Sequence, residues 1–225
     1  MTVLVVLAVA GCERNGPRSS GSSNVDGPGP EMKDWPVSTS DPDRSPRDLL
    51  RRYYTALKDG NSREFLACYA GNDPAYIEVY LASFNHKRAQ ARLMSVLDMR
   101  YGKGASKQFL EIGPNFAVPD LQDANWPASG RMAWDGESSE ADWFAVGKPR
   151  TEERPERLRL LNRHWCFIFT WPGDSSQVGA SLQTLERALQ RTGKAIRAAH
   201  KGPKEYTLEQ VWEIYWYGEL QGNRK

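Results

Sequence analysis

A chain of 225 residues, 40% hydrophobic, holds enough apolar side chains for one core of ordinary size or two very small ones, so one folded domain is expected. Thirty Lys and Arg against 28 Asp and Glu leave a formal charge of +2, which points to neither a nucleic-acid binder nor a trap for acidic substrates. An aromatic content of 11%, with eight Trp, excludes disorder throughout, and three Cys without C-x-x-C spacing exclude a disulfide framework and a zinc ribbon.

The chain opens with an unbroken apolar run from Val3 to Ala10, followed by Gly11 and Cys12. Eight residues cannot span a hydrocarbon core, which needs roughly 20 in a helix, but they suit the apolar centre of a signal peptide. Val9-Ala10-Gly11-Cys12 resembles the lipobox of bacterial lipoproteins. The resemblance implies cleavage before Cys12, lipidation of its sulfur and acylation of the new N-terminus, with residues 1–11 removed as a signal peptide. No Lys or Arg precedes Val3, a departure from the basic start of such leaders. The alternative is a buried strand, for which the polar residues that follow offer no partner.

Residues 12–44 are expected to form a disordered tether. The stretch is rich in Gly, Ser, Pro and Asp and nearly devoid of aliphatic side chains, so burial cannot offset its ordering entropy. As a flexible coil it would span roughly 30 Å. Trp35, beside Pro36, is the one residue in it suited to docking. Beyond the tether 26 basic and 22 acidic residues remain, so the folded part is net basic.

Residues 45–225 are then the folded domain. Ser45-Pro46-Arg47-Asp48 is a helix start, with Ser as N-cap, Pro at the first position and an acid in the first turn. Leu49, Leu50, Tyr53, Tyr54 and Leu57 recur at helical spacing until Asp59-Gly60. A short helix follows over about 62–69, with Phe65, Leu66 and Tyr69 on one side. Asp73-Pro74 opens a third, which keeps Ile77, Tyr80, Leu81 and Phe84 on one face and then turns apolar nearly all round, from Leu93 to Tyr101, before Gly102 and Gly104 stop it. About 113–130, Pro, Asn and Asp argue for loop.

From Arg131 the texture changes to short β-prone runs: 131–134, the turn Asp135-Gly136, 141–146, then 157–161 and 165–171 around Asn162-Arg163. Four antiparallel strands are the economical reading, closed by Pro172-Gly173. Ser175 or Ser176 opens a long amphipathic helix to about Ala199, and Thr207 opens the last. Thr207-x-x-Gln210 reads as a capping box with Tyr206 and Val211 as its staple, and Leu208, Val211, Trp212, Tyr215 and Trp216 as its buried face. The fold class expected is α+β, with N-terminal helices, a four-stranded antiparallel curved sheet and C-terminal helices.

The segment LLRRYYTALKDGNSREFLACY, Leu49 to Tyr69, is similar to the opening of nuclear transport factor 2-like (SnoaL-like) domains, in which a helix ends at a "gd" turn before a second short helix. The resemblance implies a cone of helices and curved sheet, a fold that hosts scaffolds, carriers and enzymes. The long third helix and the two C-terminal helices depart from it. The whole domain also resembles secreted lipoproteins of planctomycete-type bacteria, which implies no activity. Enzymes of this kind, such as ketosteroid isomerase-like and SnoaL-like cyclases, place a carboxylate or an Asp-His pair inside the cone.

Candidates for such chemistry are few. His86 lies beside Lys87 and Arg88 and reads as solvated, His200 favours the end of a basic helix, and His164 belongs to a hairpin near the cone. Glu140 and Asp142 precede Trp143 on a strand whose alternation turns carboxylates outward. Cys68 and Cys166 read as small buried hydrophobes, a disulfide between them being the alternative. No nucleophile elbow, zinc-protease, phosphate-loop or dinucleotide motif occurs, so no catalytic residue, cofactor or metal is assigned. Trp134, Trp143, Trp165 and Trp171 read as core, or as a wall on which a sugar or flat ligand could stack.

The clearest pattern is electrostatic. On the long helix Arg187, Arg191, Lys194, Arg197 and Lys201 fall within an arc of about 120°, opposite Val178, Leu182, Leu185, Leu189 and Ile196. Solvation explains a basic stripe, and so does contact with anionic lipid head groups. The function expected is a non-catalytic binding or scaffolding lipoprotein of the bacterial cell envelope, lipidated at Cys12, moored to the bilayer by acyl chains such as palmitate and held outside the cytosol. Homodimerisation through an open sheet face is a further expectation, nucleic acid is not expected as a partner, and the rival reading is a small-molecule enzyme with a buried acid or His.

Overall fold

A computed structural model describes residues 36, 38–70, 76–112, 131–144, 156–168 and 176–221. The leader, Cys12, Trp35 and most of the expected tether therefore lie outside the described residues, as do Asp73-Pro74, the loop expected over 113–130, Trp171 and Pro172-Gly173. The described chain is α+β as expected. Helices α1 (Pro46–Asp59), α2 (Ser62–Ala67), α3 (Ile77–Tyr101) and α4 (Ala105–Ile112) precede strands β1 (Arg131–Ala133), β2 (Glu140–Phe144), β3 (Glu156–Leu161) and β4 (His164–Phe167). Helices α5 (Ser176–Lys201) and α6 (Leu208–Tyr217) follow. The strands form one antiparallel meander in the order β1-β2-β3-β4, a curved sheet that does not close.

Local chemistry explains the boundaries. The Ser45 amide donates to the Asp48 carboxylate over 2.9 Å, and Gly60, at φ +76°, ends α1 in the left-handed conformation that glycine tolerates. The α6 capping box forms as expected: the Thr207 amide donates to Gln210 Oε1 over 2.9 Å and the Gln210 amide to Thr207 Oγ1 over 3.3 Å. Asn162 and Arg163, at φ +48° and +69°, make the two-residue turn between β3 and β4 whose twist matches the strands. Helix α4 was not expected. Asp98, in the last turn of α3, accepts from the amides of Gly104 and Ser106 and from Ser106 Oγ, so the cap of α4 comes from the preceding helix across a glycine corner.

Two cores result, both served by α3. In the first, Leu49, Leu50, Tyr53 and Leu57 of α1 and Phe65 of α2 pack with Phe84 of α3 on the inner face of the sheet, formed by Ala141, Trp143, Leu158, Trp165 and Phe167. The alternation expected for β2 holds, with Ala141 and Trp143 buried while Glu140 is exposed and ion-paired to Arg159 at 2.7 Å. In the second, Leu93, Val96 and Leu97 of α3 pack with Phe109 of α4, Ala195, Ala198 and Ala199 of α5, and Val211, Ile214 and Tyr215 of α6. Met99, in the part of α3 expected to be apolar all round, is 70% exposed.

The buried face of α5 differs from the expected one. Ser181, Leu185, Thr192, Ala195 and Ala199 are buried, whereas Val178, Leu182, Leu189 and Ile196 are only half-buried. The face is thus turned by about 70° toward the basic stripe at 100° per residue. Small side chains let the backbones of α3 and α5 approach closely, and Thr192 satisfies its hydroxyl on the Ala188 carbonyl at 2.8 Å.

The packed part of the chain begins before Ser45. Asp43, whose side chain is 2% exposed, receives both Nε and Nη2 of Arg52 at 3.0 and 2.9 Å and the Trp165 amide at 2.7 Å. Arg52 Nη1 reaches Glu64 at 3.1 Å and Nη2 also reaches the Trp165 carbonyl at 2.7 Å. Ser38 Oγ donates to Glu64 as well. One buried guanidinium therefore straps the segment ahead of α1 to α1, α2 and β4.

Candidate functional site

The interior of the first core holds one polar cluster. Tyr53 and Tyr54 project from α1, Tyr69 follows α2, Tyr80 and Lys87 lie on α3, and Glu156 begins β3. Rings of Tyr69 and Tyr80 stand 4.4 Å apart, those of Tyr53 and Tyr54 5.1 Å, and the Tyr53 and Tyr69 hydroxyls share a hydrogen bond. Burial, joined by the neighbouring phenols and the Glu156 carboxylate, drives Tyr53, Tyr54 and Tyr69 well above the ordinary tyrosine range, so all three stay neutral. Lys87 is 8% exposed; burial lowers its pKa and the charge of Glu156 partly restores it. A desolvated amine and neutral phenols thus lie within electrostatic reach of one carboxylate beside an aromatic core, the kind of perturbed interior that serves binding or proton transfer.

This cluster was not singled out in the sequence, yet a signal existed. Lys87 continues the stripe Tyr80–Phe84 at helical spacing and so had to face the core. Its neighbour His86 is buried too, at 6% exposure, against the expectation of a solvated surface residue. Glu156 had no local signal, because its position depends on the register that sets it opposite Trp143.

The basic stripe of α5 divides. Arg187 and Arg197 are exposed. Lys201 pairs with Glu205 at 3.3 Å and lies 5.5 Å from the Tyr206 ring. Arg191 Nη1 donates to the Trp216 carbonyl at 2.8 Å and Lys194 Nζ to the Gly218 carbonyl at 3.1 Å, two cations at the C-terminal end of α6 where its dipole favours them.

The remaining candidates are placed as follows. His164 is half-buried with Nδ1 3.8 Å from Asp43, and His200 is exposed in the last turn of α5. Cys68 and Cys166 are buried free thiols, and burial raises both, Cys166 to about 11, which makes them inert hydrophobes rather than nucleophiles. Trp143 and Trp165 are core residues at 8% and 2% exposure, while Trp134 packs against that core half-buried, its ring edge-on to Trp165 at 5.8 Å. Among the described residues no three His, Cys, Asp or Glu gather as metal ligands, and no helix is long and apolar enough to cross a membrane. No protein-family model, no curated protein and no solved structure matches the chain.

Proposed function

We propose that the chain is a lipoprotein of the bacterial cell envelope, lipidated at Cys12, whose nuclear transport factor 2-like domain binds rather than catalyses. The observation that carries the preference for binding is the filled interior: Trp165, Phe65 and Leu158, at most 2% exposed, occupy the space between α1 and the sheet. Enzymes of the family it resembles keep a desolvated acid or His there. Binding then falls to the outer surfaces, foremost the exposed part of the α5 stripe, where Arg187 and Arg197 can meet anionic head groups at about 1 kcal/mol each. The outer sheet face carries Arg131, Glu140, Asp142, Arg157 and Arg159 beside Phe144 and Leu161, a mostly charged surface that disfavours a homodimer through an apolar sheet.

The anchor is tested by labelling cells that express the full chain with a fatty acid: label is expected on the wild type and lost in Cys12→Ser, and unchanged labelling removes the anchor. Replacing Arg187 and Arg197 by Gln should reduce binding to phosphatidylglycerol vesicles at low salt, with no reduction leaving the stripe as a solvated face. One observation favours the rival enzyme, namely buried Lys87 within electrostatic reach of Glu156. In that reading Glu156 is the base, and turnover of a small carbonyl substrate would be abolished by Glu156→Gln with folding retained.

A further inference from the structure

Two thiols that neither reading of function uses meet along the seam where the end of α2 joins the sheet. Tyr69 forms a parallel bridge with Phe167: the Phe167 amide donates to the Cys68 carbonyl over 2.9 Å, and the Ala70 amide to the Phe167 carbonyl over 3.0 Å. In a parallel pairing the residues one step back are neighbours as well, so Cys68 lies opposite Cys166. The spacing of paired chains, ~4.8 Å, falls inside the roughly 4.4–6.8 Å that a disulfide spans between α-carbons. The Cys166 sulfur reaches toward the same place, 3.8 Å from the carbonyl oxygen of Ala67, the residue bonded to Cys68. Cys68 itself, at φ −76° and ψ −7°, closes α2 instead of continuing as strand, so its side chain is not held to the alternation of a pleat.

Little else engages either sulfur. Cys68 Sγ rests on the Glu64 carbonyl at 3.3 Å and Cys166 Sγ on the Ala67 and His164 carbonyls at 3.8 and 3.7 Å, contacts of weak donors whose loss strands no strong hydrogen-bonding group. At 0% and 7% exposure both thiols are closed to outside reagents in the folded chain, while the Arg52 guanidinium reaches both and favours their thiolates against burial. We propose that Cys68 and Cys166 are a disulfide-forming pair, shown here in its reduced form, whose oxidation fastens the end of α2 to β4 at the junction that Arg52 also straps. The oxidant is a small-molecule disulfide such as oxidised glutathione, acting while the seam is open. One cysteine thiolate attacks it, releasing one glutathione thiolate and leaving a mixed disulfide. The second cysteine thiolate attacks the protein sulfur of that bond and expels the other glutathione, and the two cysteine protons end on the two glutathione thiols. The inference does not depend on the anchor at Cys12.

The test equilibrates the full chain carrying Cys12→Ser, which leaves this pair alone of the three cysteines, in mixtures of reduced and oxidised glutathione of rising oxidised fraction. Equilibrium is approached twice, by refolding from urea and by incubation in urea below the unfolding midpoint, where the seam opens to the reagent. The expected product is a monomer lighter by two hydrogen atoms that yields a linked Cys68–Cys166 peptide in a non-reduced digest. It should melt about 10 °C above the same chain kept reduced with dithiothreitol, because closing a loop of roughly 100 residues restrains the unfolded chain. Cys166→Ala should abolish the difference between oxidised and reduced samples. Two free thiols by both routes in the most oxidising mixture overturn the proposal. So does a linked chain that melts no higher than the reduced one, or a difference that Cys166→Ala retains.

Discussion

Arg52, 9% exposed, meets Asp43, Glu64 and the Trp165 carbonyl, and removing one partner of such a buried pair leaves the other uncompensated. Asp43→Ala should therefore cost about 3–5 kcal/mol in urea unfolding; a loss under 1 kcal/mol would mean that the strap is incidental. His86 gives a pH dependence with a definite sign. Burial, then the charges of Lys87 and Arg191, lower it from 6.5 to about 4, so between those values the unfolded chain takes up a proton that the folded chain refuses. Stability should fall by up to about 3 kcal/mol as pH drops through this window, and His86→Gln should flatten that slope in denaturation curves measured from pH 7 to 4. At Arg163, φ of +69° forces a side chain into the left-handed region. Arg163→Gly, giving Asn-Gly in the β3–β4 turn, should raise stability by about 1 kcal/mol, checked by melting temperature.

Among the elements, those with their own caps and periodicity were legible. Helix α1 starts at Ser45-Pro46 and α6 at Thr207 because each carries its terminal hydrogen-bond partners within one turn. Thr207→Ala should cost about 1 kcal/mol, seen in urea unfolding, since the Gln210 amide then loses its acceptor. Helix α4 was missed because its cap, Asp98, belongs to α3. The inner edge of α5 was placed wrongly because hydrophobicity scores Ser181, Thr192 and Ala195 below Leu189 and Ile196, whereas close helix packing rewards small volume. That rotation brings Arg191 to the rim of the core and couples it to α6.

For the molecule as a whole, α3 joins a core on the sheet to a second core among helices, contributing Phe84 to the first and Leu93 and Leu97 to the second. The expected tether reaches Arg44, but Ser38 and Asp43 are packed against α1, α2 and β4. Chains beginning at Pro36 and at Ser45 should thus differ in melting temperature, the shorter lower by more than 10 °C, because only it lacks Asp43; equal values would return these residues to the tether.

What the amino-acid order determined by itself is whatever closes within a turn or a hairpin: the caps of α1 and α6, the Asn162-Arg163 turn, the outward Glu140 and inward Trp143, and with them the α+β class. Tertiary structure decided which polar residues lose water. Asp43, Lys87, His86 and Glu156 look like surface residues to any local rule, and each is paired, desolvated or left without a partner only because segments far apart in the chain meet around it. Desolvation depends on what the rest of the chain places nearby, and no window of a few residues contains that information.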